Sequence, residues 1–243
     1  MDVLLICHDR QRFLRIQTRT SMTRVTKKKT AERPIARRED ASDGGARERN
    51  KLDKRERIAA AAWEVFSREG FEASSTNTIA ERAGVAKGTL FLYATDKDDL
   101  LLLVMHDRLA RATDEAFATI TAKAPIDAQV TDVFASLYEL YLSQPRGLGL
   151  AFVRAVATSR GPNADRIQAL TQGLLSRLAS LLRAASERGE LVDVPASPAA
   201  FNLFAAYFMV LFAWLSGTVG SLAEMRATVA GLVALQLRAF APR

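Results

Sequence analysis

An all-α fold is predicted by three features of the 243-residue chain. Apolar residues recur at spacings of three and four along most of its length, the pattern of helices with one buried face. Seven prolines and thirteen glycines fall mainly between these periodic segments rather than inside them. No run alternates apolar and polar residues as a half-buried strand does. An apolar content of 49% excludes wholesale disorder and suffices for one sizeable core or two small ones.

Charge divides the chain. Residues 1–57 hold 17 Lys/Arg against 9 Asp/Glu, leaving 17 against 18 in residues 58–243, so the net charge of +7 resides at the N-terminal end. Segments such as RVTKKK (24–29) have few apolar neighbours, and residues 1–52 are expected to form a disordered basic arm. Such an arm adds attraction to phosphate or acts as a solubilising tail, and Met22 offers an alternative start. The apolar stretch 3–7 is too short for a signal peptide or a membrane span. The single Cys7 excludes an internal disulfide and suits a reducing cytosol. No metal or other cofactor is expected.

From Asp53 the pattern is helical. Ile58, Ala61, Ala62, Val65 and Phe66 share one face, and Gly70 followed by Phe71 reads as a left-handed stop with its apolar contact. The stretch STNTIAERAGVAKGTLFLY (75–93) then reads as a helix-turn-helix. Ser75 caps a short helix, Ile79, Ala80 and Ala83 form its inner face, and Gly84 ends it. Ala80 is small enough to let two helices cross closely. In a second helix over 87–93, Leu90 points inward, which puts Gly88 and Leu92 on the opposite side with Thr89 beside them. Lys87 can donate to guanine, the Thr89 methyl can touch thymine, and Gly88 lets the backbone approach the major groove. Beyond it, Asp96 and Asp99 form an acidic capping box, with Lys97 in the first helical turn.

These segments, RERIAAAAWEVF (55–66), EGFEASSTNTIAERAGVAKGTLFLY (69–93) and DKDDL (96–100), together resemble the DNA-binding domain of the TetR family of transcriptional regulators. The resemblance implies a three-helix helix-turn-helix domain over 53–99 that contacts double-stranded operator DNA through Ser75, Thr76, Thr78, Ala86, Lys87, Gly88, Thr89, Leu92, Tyr93 and Lys97. Within that set it implies that Tyr93 and Lys97 hold phosphates. The chain departs from the family pattern at Thr76, Ala86, Phe91 and Ala94; Ala86 has no hydroxyl with which to cap the second helix.

A long helix is expected from Lys97 to about residue 122, stopped before Pro125. Its run 100–105 is too apolar for a surface helix, as suits a connector between two domains. Further helices are expected near 127–142, 149–158, 163–188, 197–216 and 221–240, making residues 100–243 a helical effector-binding and dimerisation domain. The stretch 198–216 is the most apolar part. A transmembrane helix is the rival reading there, but Asn202, Tyr207 and its marginal length favour a buried dimer helix and no membrane. Phe208 and Leu211, with Leu232 and Leu235 on the next helix, are the expected contacts of a homodimer.

Phe134, Tyr138, Tyr141, Phe152 and Phe208 are candidate walls of a pocket for a small apolar or aromatic effector, with Arg154 placed to meet a carboxylate. Enzymatic chemistry is not expected: the two histidines, His8 and His106, stand apart, and no phosphate-binding glycine loop, HExxH or GxSxG occurs. A nonspecific DNA-packaging protein would explain the basic arm but not the large neutral helical half. The sequence therefore points to a cytoplasmic, dimeric, ligand-responsive regulator of transcription, expected to be a repressor.

Overall fold

The computed structural model describes residues 41–242, with side chains from residue 45. Residues 1–40 of the expected arm lie outside them. Among the described residues the elements are α1 (Ala41–Glu69), α2 (Thr76–Arg82), α3 (Lys87–Leu90), α4 (Lys97–Ala118), α5 (Ile126–Leu142), α6 (Arg146–Thr158), α7 (Pro162–Glu187), α8 (Ala196–Leu215) and α9 (Leu222–Arg238), all helices.

One boundary is corrected. The first helix starts at Ala41 rather than near Asp53, so residues 41–52, expected to belong to the disordered arm, are helical. Glycine inside a helix costs about 1 kcal/mol against alanine, and the following run of Arg, Glu, Lys and Leu, all good helix formers, carries the helix past that cost.

The expected inner face of α1 is buried: Ile58, Ala62, Val65 and Phe66 pack with Phe71, Ile79, Ala80, Leu90 and Ala94. Gly84 adopts φ +63, the left-handed region where a side chain would be strained, and turns the chain from α2 into α3. The turn closes through the Val85 amide, which donates to the Ala80 carbonyl at 3.0 Å.

Every residue from Leu100 to Met105 is buried, because the start of α4 is covered by α1 on one side and by α6 and α7 on others. The helix is 22 residues long, about 33 Å at 1.5 Å per residue. It stops at Ala118, four residues earlier than expected, where two β-branched threonines flank Ile120 and the Thr119 hydroxyl donates to the Ala116 carbonyl at 3.1 Å. Two clasps join it to α1. Arg55 reaches Asp107 with two bonds of 3.0 Å, and the Arg108 guanidinium lies 3.3 Å over the Trp63 ring.

The remaining helices form the C-terminal layer, with α5 against α4 and α9, and α8 between α7 and α9. Helix α6 starts at Arg146, earlier than the expected 149, because Pro145 sets φ −59 before it and its carbonyl accepts the Leu148 amide at 2.9 Å. Helix α8 is long and apolar enough to cross a membrane by length and composition, and 44% of that window is buried. Its inner residues Leu203, Tyr207, Val210 and Trp214 are core, while Phe201, Met209 and Phe212 face outward.

Candidate nucleic-acid interface and effector cavity

The candidate DNA reader, α2 and α3 with the turn between them, braced by α1, is assembled from local hydrogen bonds. The Ser75 hydroxyl caps α2 by accepting the amides of Asn77 and Thr78 at 3.1 and 3.4 Å, worth about 0.5–2 kcal/mol to the helix. Ala86 occupies the matching position before α3 and makes no side-chain cap, as its methyl dictates. α3 itself spans four residues, shorter than the expected 87–93, and continues as turns in which Tyr93 donates its amide to the Leu90 carbonyl at 2.9 Å. Leu90 is fully buried as expected. Lys87, Gly88 and Ala86 are exposed, Ser75, Thr76, Thr78 and Thr89 half-buried, and Leu92 stands 82% exposed. A leucine held out in this way on the open side of a reader is suited to contact with thymine methyls.

Two residues implied as phosphate contacts also bond within the chain. Tyr93 is half-buried and its hydroxyl donates to the Lys51 carbonyl at 3.3 Å. Lys97 turns inward: its ammonium donates to the carbonyls of Phe71, Glu72 and Ser74 at 2.8, 3.1 and 3.3 Å, and sits 4.6 Å over the Phe71 ring. Three donors on three carbonyls use the ammonium's whole capacity. Lys97 thus closes the loop between α1 and α2.

A cavity of about 100 Å³ lies among α4, α5, α6, α7 and α8. Its walls are almost wholly apolar: Leu137 and Tyr141 from α5, Phe152 and Val156 from α6, Ile167 and Leu174 from α7, and Tyr207, Phe208 and Leu211 from α8. Thr113 and Thr171 add two hydroxyls, and the Thr171 hydroxyl donates to its own helix at Ile167. Burial pushes the Tyr141 hydroxyl up, so it stays neutral at any physiological pH. Next to the cavity, Gly149 lets α6 approach α8, since a Cβ there would meet Leu215 Cδ2 at 2.6 Å.

The structure separates the residues expected in the pocket. Tyr141, Phe152 and Phe208 line it. Phe134 and Tyr138 do not: both stack on Tyr207, with ring centroids 5.0 and 4.9 Å away, and the Tyr138 hydroxyl donates to the Tyr207 carbonyl at 3.1 Å. They form the core between α5 and α8. Arg154 also lies elsewhere. It points toward the reader, binding Glu72 and Asp98 at 3.1 Å each, and its hydrogen bonds with Asp98 and then Glu72 hold its pKa above the usual value. Of the expected dimer contacts, Leu211 is buried and faces the cavity, whereas Phe208, Leu232 and Leu235 are 37%, 39% and 64% exposed. The turn of α8 that carries Leu211 inward carries Met209 and Phe212 outward.

Two of the helices that wall the cavity, α6 and α7, also hold the candidate DNA reader. From the start of α7 the buried Asn163 donates its side-chain amide to the Tyr93 carbonyl at 2.9 Å and to Asp99 Oδ2 at 3.1 Å. Asp99 is 1% exposed and also accepts the Thr95 amide at 2.9 Å. One turn later Arg166 lies 3.7 Å from Asp107, the residue that grips Arg55 of α1. Burial pushes the Asp107 pKa up, but hydrogen bonds from Arg55 and His106, with their charges, outweigh it and leave it below the ordinary value.

Comparison with known proteins gives this arrangement its context. The sequence model described as "Bacterial regulatory proteins, tetR family" matches residues 58–104, the helical core of the reader and the start of α4. The chain is 26% identical over 145 residues, 60% of its length and 74% of the relative, to the fatty acid metabolism regulator protein of Bacillus subtilis. Residues 58–104 are a TetR-family DNA-binding domain. It is also 38% identical over 98 residues to the transcriptional activator FasR of Mycolicibacterium smegmatis, of which it spans 43%. Among solved structures, FadR from Thermus thermophilus, a TetR-family transcriptional repressor in complex with lauroyl-CoA, aligns with TM-score 0.62 and 25% identity over 78% of this chain and 96% of that one. FadR from Bacillus subtilis in complex with stearoyl-CoA aligns with TM-score 0.59 and 21% identity over 74% and 96%.

With this domain the chain is a DNA-binding regulator of transcription. Sequence reasoning missed Asn163, Leu109, Thr113 and the α7 wall of the cavity. The apolar spacing Ile167, Leu170, Leu174 was visible, but periodicity gives a buried face and not what that face encloses. An asparagine just after Gly161 and Pro162 reads as a helix start; its partners 70 and 64 residues away left no local signal.

Proposed function

We propose that the protein is a cytoplasmic, homodimeric transcriptional repressor whose release from operator DNA is triggered by an effector with a long apolar tail, of the fatty acyl-CoA class. In this reading residues 53–99 read DNA, and residues 100–243 bind the effector and dimerise. The observation that carries it is the double duty of α6 and α7: Phe152, Val156 and Ile167 wall the cavity, while Arg154 and Asn163 on the same helices hold Glu72, Asp98 and the Tyr93 carbonyl of the reader.

Magnitude supports a moving wall. A dry apolar cavity of about 150 Å³ takes one benzene, so the roughly 100 Å³ open here is too small for a chain of a dozen carbons without displacement of its walls. Displacing α6 or α7 shifts the groups that hold the reader, which gives the two ligands different preferred conformations. Acyl-CoA ligands in the Thermus thermophilus relative and the fatty acid regulator from Bacillus subtilis support the chemical class. Dimerisation is supported by the outward apolar side chains Phe201, Met209, Phe212 and Leu235 on α8 and α9, which a partner helix pair would cover. Two readers then meet two half-sites about one turn of DNA apart.

The test is genomic selection of bound DNA, followed by titration of that duplex–protein complex with lauroyl-CoA. Release at micromolar ligand supports the reading, and unaltered affinity at saturation contradicts it. The FasR resemblance favours activation as a second reading, decided by whether deletion of the gene raises or lowers transcription beside the selected sites.

A further inference from the structure

Helix α1 overruns the reader. The family match begins at Ile58, whereas the helix begins at Ala41. At Ile58 its inner face is fully buried in the reader's core. Positions four, seven and eleven residues earlier lie on that same face, within roughly 40° of Ile58 at 100° per residue, and they are Lys54, Lys51 and Arg47. The inner stripe therefore changes from apolar to cationic where the helix passes beyond the core, and all three side chains are exposed. The acids of this segment are turned away: Glu48, Asp53 and Glu56 lie roughly 80° or more around the helix from Ile58, and Asp53 is paired with Arg57 at 3.1 Å. The overhang is tied to the reader, since the Tyr93 hydroxyl, just past α3, donates to the Lys51 carbonyl at 3.3 Å.

We propose that this overhang is a second DNA-binding element, in which Lys51 and Lys54 contact phosphates of the duplex that flank the bases read by α3. The inference rests on the DNA-binding reading and adds to it. A cationic stripe at helical spacing beside the recognition helix is complementary to a polyanion of regular charge spacing. Its contacts carry no sequence preference, so they lengthen the bound site and strengthen it on every sequence alike.

The probe is a fluorescent 40-base-pair duplex of random sequence, titrated with full-length protein and with K51Q/K54Q from 50 to 200 mM salt. Each lost phosphate contact reduces the slope of log K against log salt by about 0.9, so the variant's slope should fall by about 1.8 and its affinity at 0.1 M salt by about tenfold or more. K123Q/R183Q, which removes the same charge beyond the far end of α4 and late in α7, should retain the original slope. Equal thermal midpoints establish that the variants are folded. An unchanged slope in K51Q/K54Q overturns the assignment, as does a change in its sedimentation with the slope intact, which would give the stripe to a second copy of the chain. Absence of binding by the unsubstituted protein would overturn this inference and the DNA-binding reading together.

Discussion

Asn163→Ala removes a side chain that ties the start of α7 to Tyr93, just past α3, and to Asp99 on α4. Two hydrogen bonds are lost: one to the Tyr93 carbonyl at 2.9 Å and one to the buried Asp99 carboxylate at 3.1 Å. A neutral bond contributes about 0.5–1.5 kcal/mol and one to a charged group about 1.5–3, so the variant should lose roughly 2–4 kcal/mol. The cost sits toward the upper end because Asp99 is 1% exposed and its Oδ1 has no hydrogen-bond partner among the described residues. At about 2–4 °C per kcal/mol for a domain of this size, the melting midpoint should fall by roughly 5–15 °C. Asn163→Asp should fall further at neutral pH, because it sets a second carboxylate against Asp99. In DNA titrations the alanine variant should still bind, but ligand should change its affinity by a smaller factor than in the unsubstituted protein. A midpoint within 1 °C of the original, with ligand response intact, would refute the reasoning that α7 grips the reader through this residue.

Other consequences follow from single contacts. Lys87→Ala and Thr89→Ala should each cost about 1–3 kcal/mol on selected DNA and much less on random duplex, measured by anisotropy. Leu235→Glu, at a side chain 64% exposed in the monomer, should give a folded monomer by sedimentation with its helical circular dichroism preserved; a dimer of unchanged affinity would place the interface elsewhere. Asp107→Asn tests the junction of α1, α4 and α7. Because the folded-state pKa of Asp107 is lowered, its carboxylate adds stability above the unfolded value, near pH 4, and loses it as pH falls through the folded value. The stability gap between Asp107→Asn and the original should therefore be full at pH 7 and close below about pH 4, followed by urea unfolding.

What could be read from the chain was what is local. Ser75 bonds to amides two and three residues on, Gly84 turns the next peptide, and Leu90 faces residues of its own motif. Each of these depends on neighbours within a few positions, and the helix-turn-helix was legible for that reason. The intrachain contacts of Lys97 and Arg154 were not legible, because their partners lie 23 to 82 residues away. A cation at a helix start or on a helix face looks alike in sequence whether it meets a phosphate, an effector carboxylate or a carbonyl of its own chain. Phe134 and Tyr138 show the same limit for aromatics: their positions on α5 face Tyr207, whereas Leu137 and Tyr141, one step around that helix, face the cavity. Leu211 was assigned to an interface because α8 is apolar on every side, so that periodicity could not distinguish its inner face from its outer one. The start of α1 was misjudged for a different reason. Charge-rich composition argues for disorder in isolation, but a helix nucleated over residues 58–69 by tertiary packing can propagate outward at little cost.

A conformational equilibrium shared by cavity and reader is measured through its reciprocity. Lauroyl-CoA affinity should be determined by calorimetry on free protein and on protein saturated with selected DNA, and DNA affinity with and without saturating lauroyl-CoA. Coupling of a typical 1–3 kcal/mol predicts that each ligand weakens the other by the same factor, about 5–150-fold. Equal lauroyl-CoA affinity in the free and DNA-bound protein would contradict the account, leaving a cavity that binds its ligand without informing the reader.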